Sequence, residues 1–386
     1  MQILLLTGPG GAGSSTVAAA TALRLTAGGA RCVLLTSRPP RTVGLADAVD
    51  VDVVTPQPAM ERLWARHADQ FAAAAPMLTV PPASSAVPVP GVAEFALLTA
   101  LAGHVRGGRA DVLVLDAGPL PTATALVALP AALRWWLAQA APTRLRVLAT
   151  LRAAATPGRP GLAAGLLAGA AGAEELLDAA PLADPARTAV HLVVRSDADA
   201  PATVQETATA LGVLGQRIAS VTVARVLPSA PGEWWAQRAA VQDAALRSVR
   251  ELVGPVRQVA ESAVAPSSVA DLRALDAAVP DGVLQPVPPA VPRRADGGWL
   301  LDVPLPFARR GAVELTRWQD ELVLTAAGAR RSLPLDALLR RCTIVGGTLS
   351  APGTEQATLE VRFTPDPEQW PAGLLAADAA AEGSRP

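Results

Sequence analysis

Lysine and tyrosine are absent from this 386-residue chain, and all 33 of its basic residues are arginine. Without lysine there is no amine for a Schiff base, for general-base work or for a compact point contact to a phosphate. Genomic GC pressure accounts for the bias, since glycine (31) and proline (36) are abundant alongside arginine. Cysteine is nearly missing too. The two that occur, Cys32 and Cys342, lie far apart, each inside an apolar, strand-like run. That excludes a disulfide framework, a CxxC redox or metal pair and a soft-metalloid site, and reads as two buried, reduced thiols. Three histidines, His67, His104 and His191, are scattered without ligand spacing, so a histidine metal site is excluded as well. Charge of either sign shows no excess: 33 basic against 34 acidic residues leave a net charge of −1. No basic run interleaved with aromatics is present to neutralise a row of phosphates, which excludes nucleic acid as a partner.

Unbroken apolar stretches are also lacking, although mean hydropathy is +0.31. The long ones, such as 157–173, are alanine-rich and interrupted by proline, glycine or charge. A membrane-spanning helix needs about 20 consecutive apolar residues, so no transmembrane segment is expected. The first seven residues read as a strand rather than as a signal peptide, and the expected location is the cytoplasm.

What is present is a chain long enough for two domains of roughly 100–200 residues each. Continuous apolar runs at 3–7, 32–36, 112–116, 189–194 and 218–223 read as buried parallel strands. Between the first two, residues 14–27 place Val17, Ala20, Leu23 and Ala27 on one helical face, with Gly28-Gly29 as a stop. Strand, glycine loop, helix, strand is a βαβ unit, which implies an α/β domain: a parallel sheet covered by helices on both faces. Residues 60–106 and 131–184 exceed ordinary βα connections of about 2–6 residues and read as helical insertions, serving either as packing layers or as a client-binding layer. The α/β domain is expected over 1–278. A proline-rich stretch, 279–298, reads as a stiff linker. After it, alternating segments at 299–304, 312–316, 321–325, 329–333, 341–349 and 358–363 predict a small antiparallel β-sandwich over 299–371, with a disordered tail at 372–386.

The run Thr7-Gly-Pro-Gly-Gly-Ala-Gly-Ser-Ser-Thr16 stands where a phosphate cradle belongs, after a strand and opening a helix. Main-chain amides of Gly8, Gly10, Gly11, Ala12, Gly13, Ser14, Ser15 and Thr16 can form an anion nest without any side chain. The P-loop pattern demands lysine at position 14, where this chain has Ser14. A charge-assisted hydrogen bond is worth about 1.5–3 kcal/mol, so its loss weakens phosphate binding by about 10- to 150-fold. Ser15 keeps the hydroxyl of a Mg²⁺ ligand, and Asp116 ends the third apolar run where a Walker-B acid would sit. These two residues are the expected metal ligands should Mg·ATP bind.

With these residues in place, the chain resembles the ArsA-type ATPases, the group of arsenite-pump ATPases and targeting factors for tail-anchored membrane proteins. Their deviant Walker motif reads lysine, two glycines, any residue, glycine, lysine, Ser/Thr; here Pro9 and Ser14 replace both lysines. Residues 34–45 resemble the switch I stretch, with Arg38 in place of the water-orienting aspartate, and 116–130 resemble switch II, keeping Asp116 and Pro119. Residues 221–228 are similar to the family's adenine-reading stretch, with Ala224 replacing its asparagine beside Arg225. Pro90-Gly-Val-Ala-Glu94 resembles a further family motif, and 303–363 looks like the α-crystallin-like domain appended to some members. The resemblance implies a P-loop fold, dimerisation and ATP chemistry; the substitutions imply that the chemistry is gone. The expected function is therefore a pseudo-ATPase that requires no cofactor and binds Mg·ATP weakly. It would act as a homodimer, or beside an intact ArsA-like ATPase, on a hydrophobic protein client. Two alternatives stay open: an ATPase in which Arg38 or Arg41 stands in for lysine, and a nucleotide-independent interaction module. Arg38 either pairs with Asp116 across the vacated metal position or is a surface arginine without a role. Trp135-Trp136 and Trp234-Trp235 could line a client groove, although adjacent aromatics on a helix more often divide into one core and one interface residue, which is the favoured reading.

Overall fold

Strands made wholly of apolar residues have no face to give to water and must be covered on both sides. β1 (Gln2–Gly8), β2 (Cys32–Thr36), β3 (Asp50–Val53), β4 (Val112–Pro119), β5 (Thr188–Arg195), β6 (Ile218–Val226) and β7 (Arg257–Ala260) make one seven-stranded parallel sheet, in the order β3-β2-β4-β1-β5-β6-β7. The computed structural model describes residues 1–74, 81–140, 171–280, 290–295 and 297–370. All five expected strands are present. The two that the sequence did not announce, β3 and β7, lie at the sheet's edges and are four residues each, DVDV and RQVA. An edge strand pairs on one side only and carries charge there as protection, so it lacks the apolar run that marks the centre.

Helices alternate with these strands along the chain. α1 (Ser14–Ala27) runs as expected between Gly13 and Gly28, burying Val17, Ala18, Ala20, Ala22 and Leu23. After α2 (Leu45–Ala48), the first insertion holds α3 (Pro56–Ala74) and α4 (Val92–Gly107). α4 begins at Gly91, places Glu94 in its first turn, and buries Leu97, Leu98 and Leu101. α5 (Leu120–Ala140) follows β4 directly and carries Pro130 internally, so most of the switch-II-like run is helical. Of the second insertion, 141–170 lies outside the described residues, and a helix α6 (171–178) closes it. The remaining helices are α7 (Ala200–Val213), α8 (Glu233–Val253) and α9 (Val269–Ala274). No described helix is long and apolar enough to cross a membrane. Both cysteines are free and buried, and burial pushes the Cys32 thiol up to about 11.

The chain divides into two compact units. One comprises Met1–Arg195, Ala219–Ser229 and Arg257–Leu284, and so holds the sheet and the glycine loop. The other comprises Ser196–Ile218, Ala230–Val256 and Gln285–Pro386. Its strands are β8 (Arg293–Ala295), β9 (Gly298–Pro304), β10 (Val313–Trp318), β11 (Glu321–Ala326), β12 (Ala329–Pro334), β13 (Cys342–Ser350) and β14 (Thr358–Pro365). They form two antiparallel sheets, β10-β11-β12 and β13-β14-β9-β8. Alternation puts Leu322, Leu324 and Ala326 inside on β11, and Leu359, Val361 and Phe363 inside on β14.

Within the stretch read as a linker, Val279 is buried and its N–H donates to Thr21 Oγ1 at 3.0 Å, while Arg293–Ala295 pairs as β8. Residues 281–289 and the 372–386 tail lie outside the described residues.

The second unit also packs its sandwich onto α7. Thr209 Oγ1 donates to the Pro306 carbonyl at 2.6 Å and Arg309 Nη2 to Gln205 Oε1 at 3.1 Å. Gly212 is a point of close approach: a methyl group there would lie 2.9 Å from Pro306 Cδ and 3.2 Å from the Pro304 carbonyl oxygen. Gly212→Ala is accordingly expected to destabilise the chain by about 1–3 kcal/mol, the usual cost of overpacking. A urea midpoint that does not fall would refute this packing.

Candidate functional site

The cradle begins where β1 ends. β1 lies between β4 and β5, with Leu6 opposite Asp116 and Thr7 opposite Leu192. Gly8 then presses against the next strand: a Cβ there would stand 2.0 Å from the Val193 carbonyl oxygen. The loop turns through a bond from the Ala12 N–H to the Pro9 carbonyl at 3.0 Å. Gly11 (φ 79°) and Gly13 (φ 97°) adopt left-handed backbone that side chains disfavour. Gly13 caps α1 without a side-chain hydrogen bond, and the first turn holds no acidic residue, so no carboxylate of that turn competes for its amides. Added methyl groups at Gly10, Gly11 or Gly13 would meet nothing within 4 Å, so the space in front of the loop is open. Ala12 is buried beneath it, Ser14 and Thr16 are half-buried, and Ser15 is exposed.

Asp116, 5% exposed, sits beside this loop at the end of β4. Its Oδ2 lies 3.1 Å from Thr36 Oγ1 at the end of β2, and its Oδ1 accepts the Gly118 N–H at 3.3 Å. Thr7 Oγ1 donates to the Gly118 carbonyl at 2.9 Å, tying the end of β1 to the turn after β4. The expected pairing of Arg38 with Asp116 does not occur: their side chains form no ion pair, and Arg38 is exposed. The physical reason is that Thr36 fills the place beside the carboxylate, and its Oγ1 also accepts the Arg38 N–H at 3.2 Å. Ala224 is buried at the end of β6 among core residues, while Arg225 (φ 59°) turns outward to Glu261, 3.5 Å away.

Residues 1–277 match the family of anion-transporting ATPases, ArsA. The chain belongs to that family. Residues 296–363 match the HSP20-like domain found in ArsA proteins. Among similar proteins, Uncharacterized protein SCO2128 of Streptomyces coelicolor is 33% identical over 97% of this chain and 100% of its own length. Protein Rv2184c of Mycobacterium tuberculosis is 29% identical over 73% of this chain and 70% of its own.

For an ArsA-family cradle, Mg·ATP is the implied occupant, and the residues fit it only in part. Main-chain amides and open space suit a phosphate, and Ser15 presents a hydroxyl. Position 14, however, offers a serine in place of a cation, and both oxygens of Asp116 are already engaged by protein donors. Sequence reasoning missed Thr7 and Thr36, each 2% exposed. A threonine ending an otherwise apolar parallel strand is the signal that marks them, because most buried hydroxyls have a hydrogen-bond partner. It also missed Ser267, whose carbonyl accepts the Val43 N–H at 2.8 Å.

Proposed function

We propose that this ArsA-family chain is a pseudo-ATPase. It keeps the phosphate cradle as scaffold and serves in the cytoplasm as a non-catalytic partner, in a homodimer or beside a lysine-bearing family member. The observation that carries the reading is the serine at position 14 in a chain with no lysine to replace it. Phosphoryl transfer rests on positioning and charge stabilisation, and losing one trans-acting cation costs about 10³–10⁵ in rate. Here the two lysine positions, the water-orienting acid and the adenine reader have all changed. Two tryptophans support a hydrophobic client: Trp136 and Trp234 are 63% and 60% exposed, each edge-on to a neighbouring tryptophan. Aromatic side chains of this kind carry much of the binding energy at protein interfaces. The proposed working division is 1–278 for the scaffold and 299–371 for the appended sandwich.

Titration calorimetry with Mg·ATP and a turnover assay on the purified chain test this. Ser14→Lys is expected to tighten Mg·ATP by about 10- to 150-fold. Wild-type turnover at the rate of lysine-bearing family members would overturn the proposal. The exposure of Arg38 favours a second reading, an ATPase in which arginine reaches the phosphate. In that case wild type is active and Arg38→Ala abolishes the activity. A purely structural module would bind its client equally with and without nucleotide.

A further inference from the structure

In nucleotide-driven switches, the loops around the cradle are ordered by the γ-phosphate and its Mg²⁺ and released on hydrolysis. In this chain the protein itself supplies the bonds. Thr7 Oγ1 donates to the Gly118 carbonyl (2.9 Å) and the Gly118 N–H to Asp116 Oδ1 (3.3 Å). Thr36 Oγ1 bonds Asp116 Oδ2 (3.1 Å) and accepts the Arg38 N–H (3.2 Å). Thr7, Thr36 and Asp116 are all buried, which strengthens each bond by lowering the local dielectric. The loop after β2 is tied down at its other end as well. Val43 donates to the Ser267 carbonyl at 2.8 Å and bridges Ser268 in parallel. The Ser267–Ser268 turn is in turn fixed by Asp271 Oδ2, which accepts the Ser267 N–H (3.0 Å), the Ser268 N–H (2.9 Å) and the Ser267 hydroxyl (3.2 Å). Beyond Val43, Leu45 is buried in the core.

We propose that Asp116 and Thr36 form a ligand-independent clasp that holds residues 37–43 beside the cradle, so that this rim of the sheet presents one constant surface. The proposal rests on the pseudo-ATPase reading and adds to it that the rim is not switched. Asp116 and Thr36 are positioning residues here: they act on the loop through its backbone.

Hydrogen exchange of the full chain, read by mass spectrometry, tests the clasp. Amides over 37–43 and 116–120 are expected to exchange at the same rates with and without saturating Mg·ATP. Thr36→Val removes the hydroxyl that accepts the Arg38 N–H and is expected to speed exchange of the Arg38 amide by about 2- to 13-fold, the equivalent of one neutral hydrogen bond. Thr36→Ser restores wild-type rates, which a general loss of stability would not allow. Should Thr36→Val fail to fold, Asp271→Ala serves at the exposed far end and is expected to speed exchange at Val43. Slower exchange over 37–43 on adding Mg·ATP to wild type, or loop rates indifferent to the substitution made, overturns the clasp. Turnover measured on the same samples keeps the two proposals apart. An active enzyme with an unresponsive loop sinks the pseudo-ATPase reading, and an inactive chain with a responsive loop sinks the clasp.

Discussion

Replacing Gly8 with alanine is expected to lower folding stability by more than about 3 kcal/mol, whereas the same change at Gly10 shifts it by less than about 0.5 kcal/mol. The two glycines are two residues apart in one loop and differ only in what a methyl group would meet. At Gly8 the new carbon would lie 2.0 Å from the Val193 carbonyl oxygen. That oxygen belongs to the backbone of β5, a central strand, so no side chain can swing aside to relieve the overlap. Relief requires the end of β1 to part from β5, and with it a stretch of sheet pairing. At Gly10 nothing lies within 4 Å, and its φ is not in the left-handed region. Urea denaturation of both variants checks the contrast; similar midpoints for the two would mean that the strand ends are not packed as described.

Between pH 6.5 and pH 4 the chain is expected to lose about 3 kcal/mol of stability through His191 alone. His191 lies in β5, 1% exposed; its Nδ1 is 2.7 Å from Ser220 Oγ, and its Nε2 has no hydrogen-bond partner among the described residues. Burial pushes its titration down to about 4, because a charged ring would be stripped of water. In the unfolded chain the imidazole takes up its proton near 6.5, so from there downward the unfolded state binds more protons than the folded one. Stability is therefore complete above pH 6.5 and falls as pH drops, levelling off near pH 4. His191→Gln keeps a polar group facing Ser220 and removes the titration. Urea midpoints at intervals from pH 7 to 4 are expected to fall more steeply in wild type than in this variant, and parallel curves would refute the assignment. Below this window Asp111 takes over. Its bond with Arg31 holds the carboxyl near 2, so its favourable contribution, present at neutral pH, disappears as pH falls from about 4 toward 2.

The sheet's central strands were legible because parallel strands buried on both faces are made mostly of apolar residues, and the sequence has five such runs. β3 and β7 were not, since a four-residue edge strand reads as loop until its neighbour is known. In the sandwich, period-two alternation located six strands to within about two residues. β8 escaped because Arg293-Arg294-Ala295 has no alternation and is recruited only by pairing with β9. The cradle was readable from its glycines, whose left-handed angles few other residues tolerate. The partner of Asp116 was not. An arginine two residues from a strand end looked suited to a buried carboxylate by charge alone, but reach and desolvation favoured the shorter Thr36 already facing it. Charge complementarity visible in sequence says nothing of which side chain arrives first at a buried acceptor.

The sandwich shares its compact unit with α7 and α8, two helices that precede and follow β6 in the chain and are encoded well upstream. Modular exchange of the C-terminal region is thereby constrained. Trading residues after the proline-rich stretch for those of a distant cousin would pit a foreign surface against Thr209 and Gly212, so recombination in this lineage would be expected to preserve upstream helices and sandwich as a matched set.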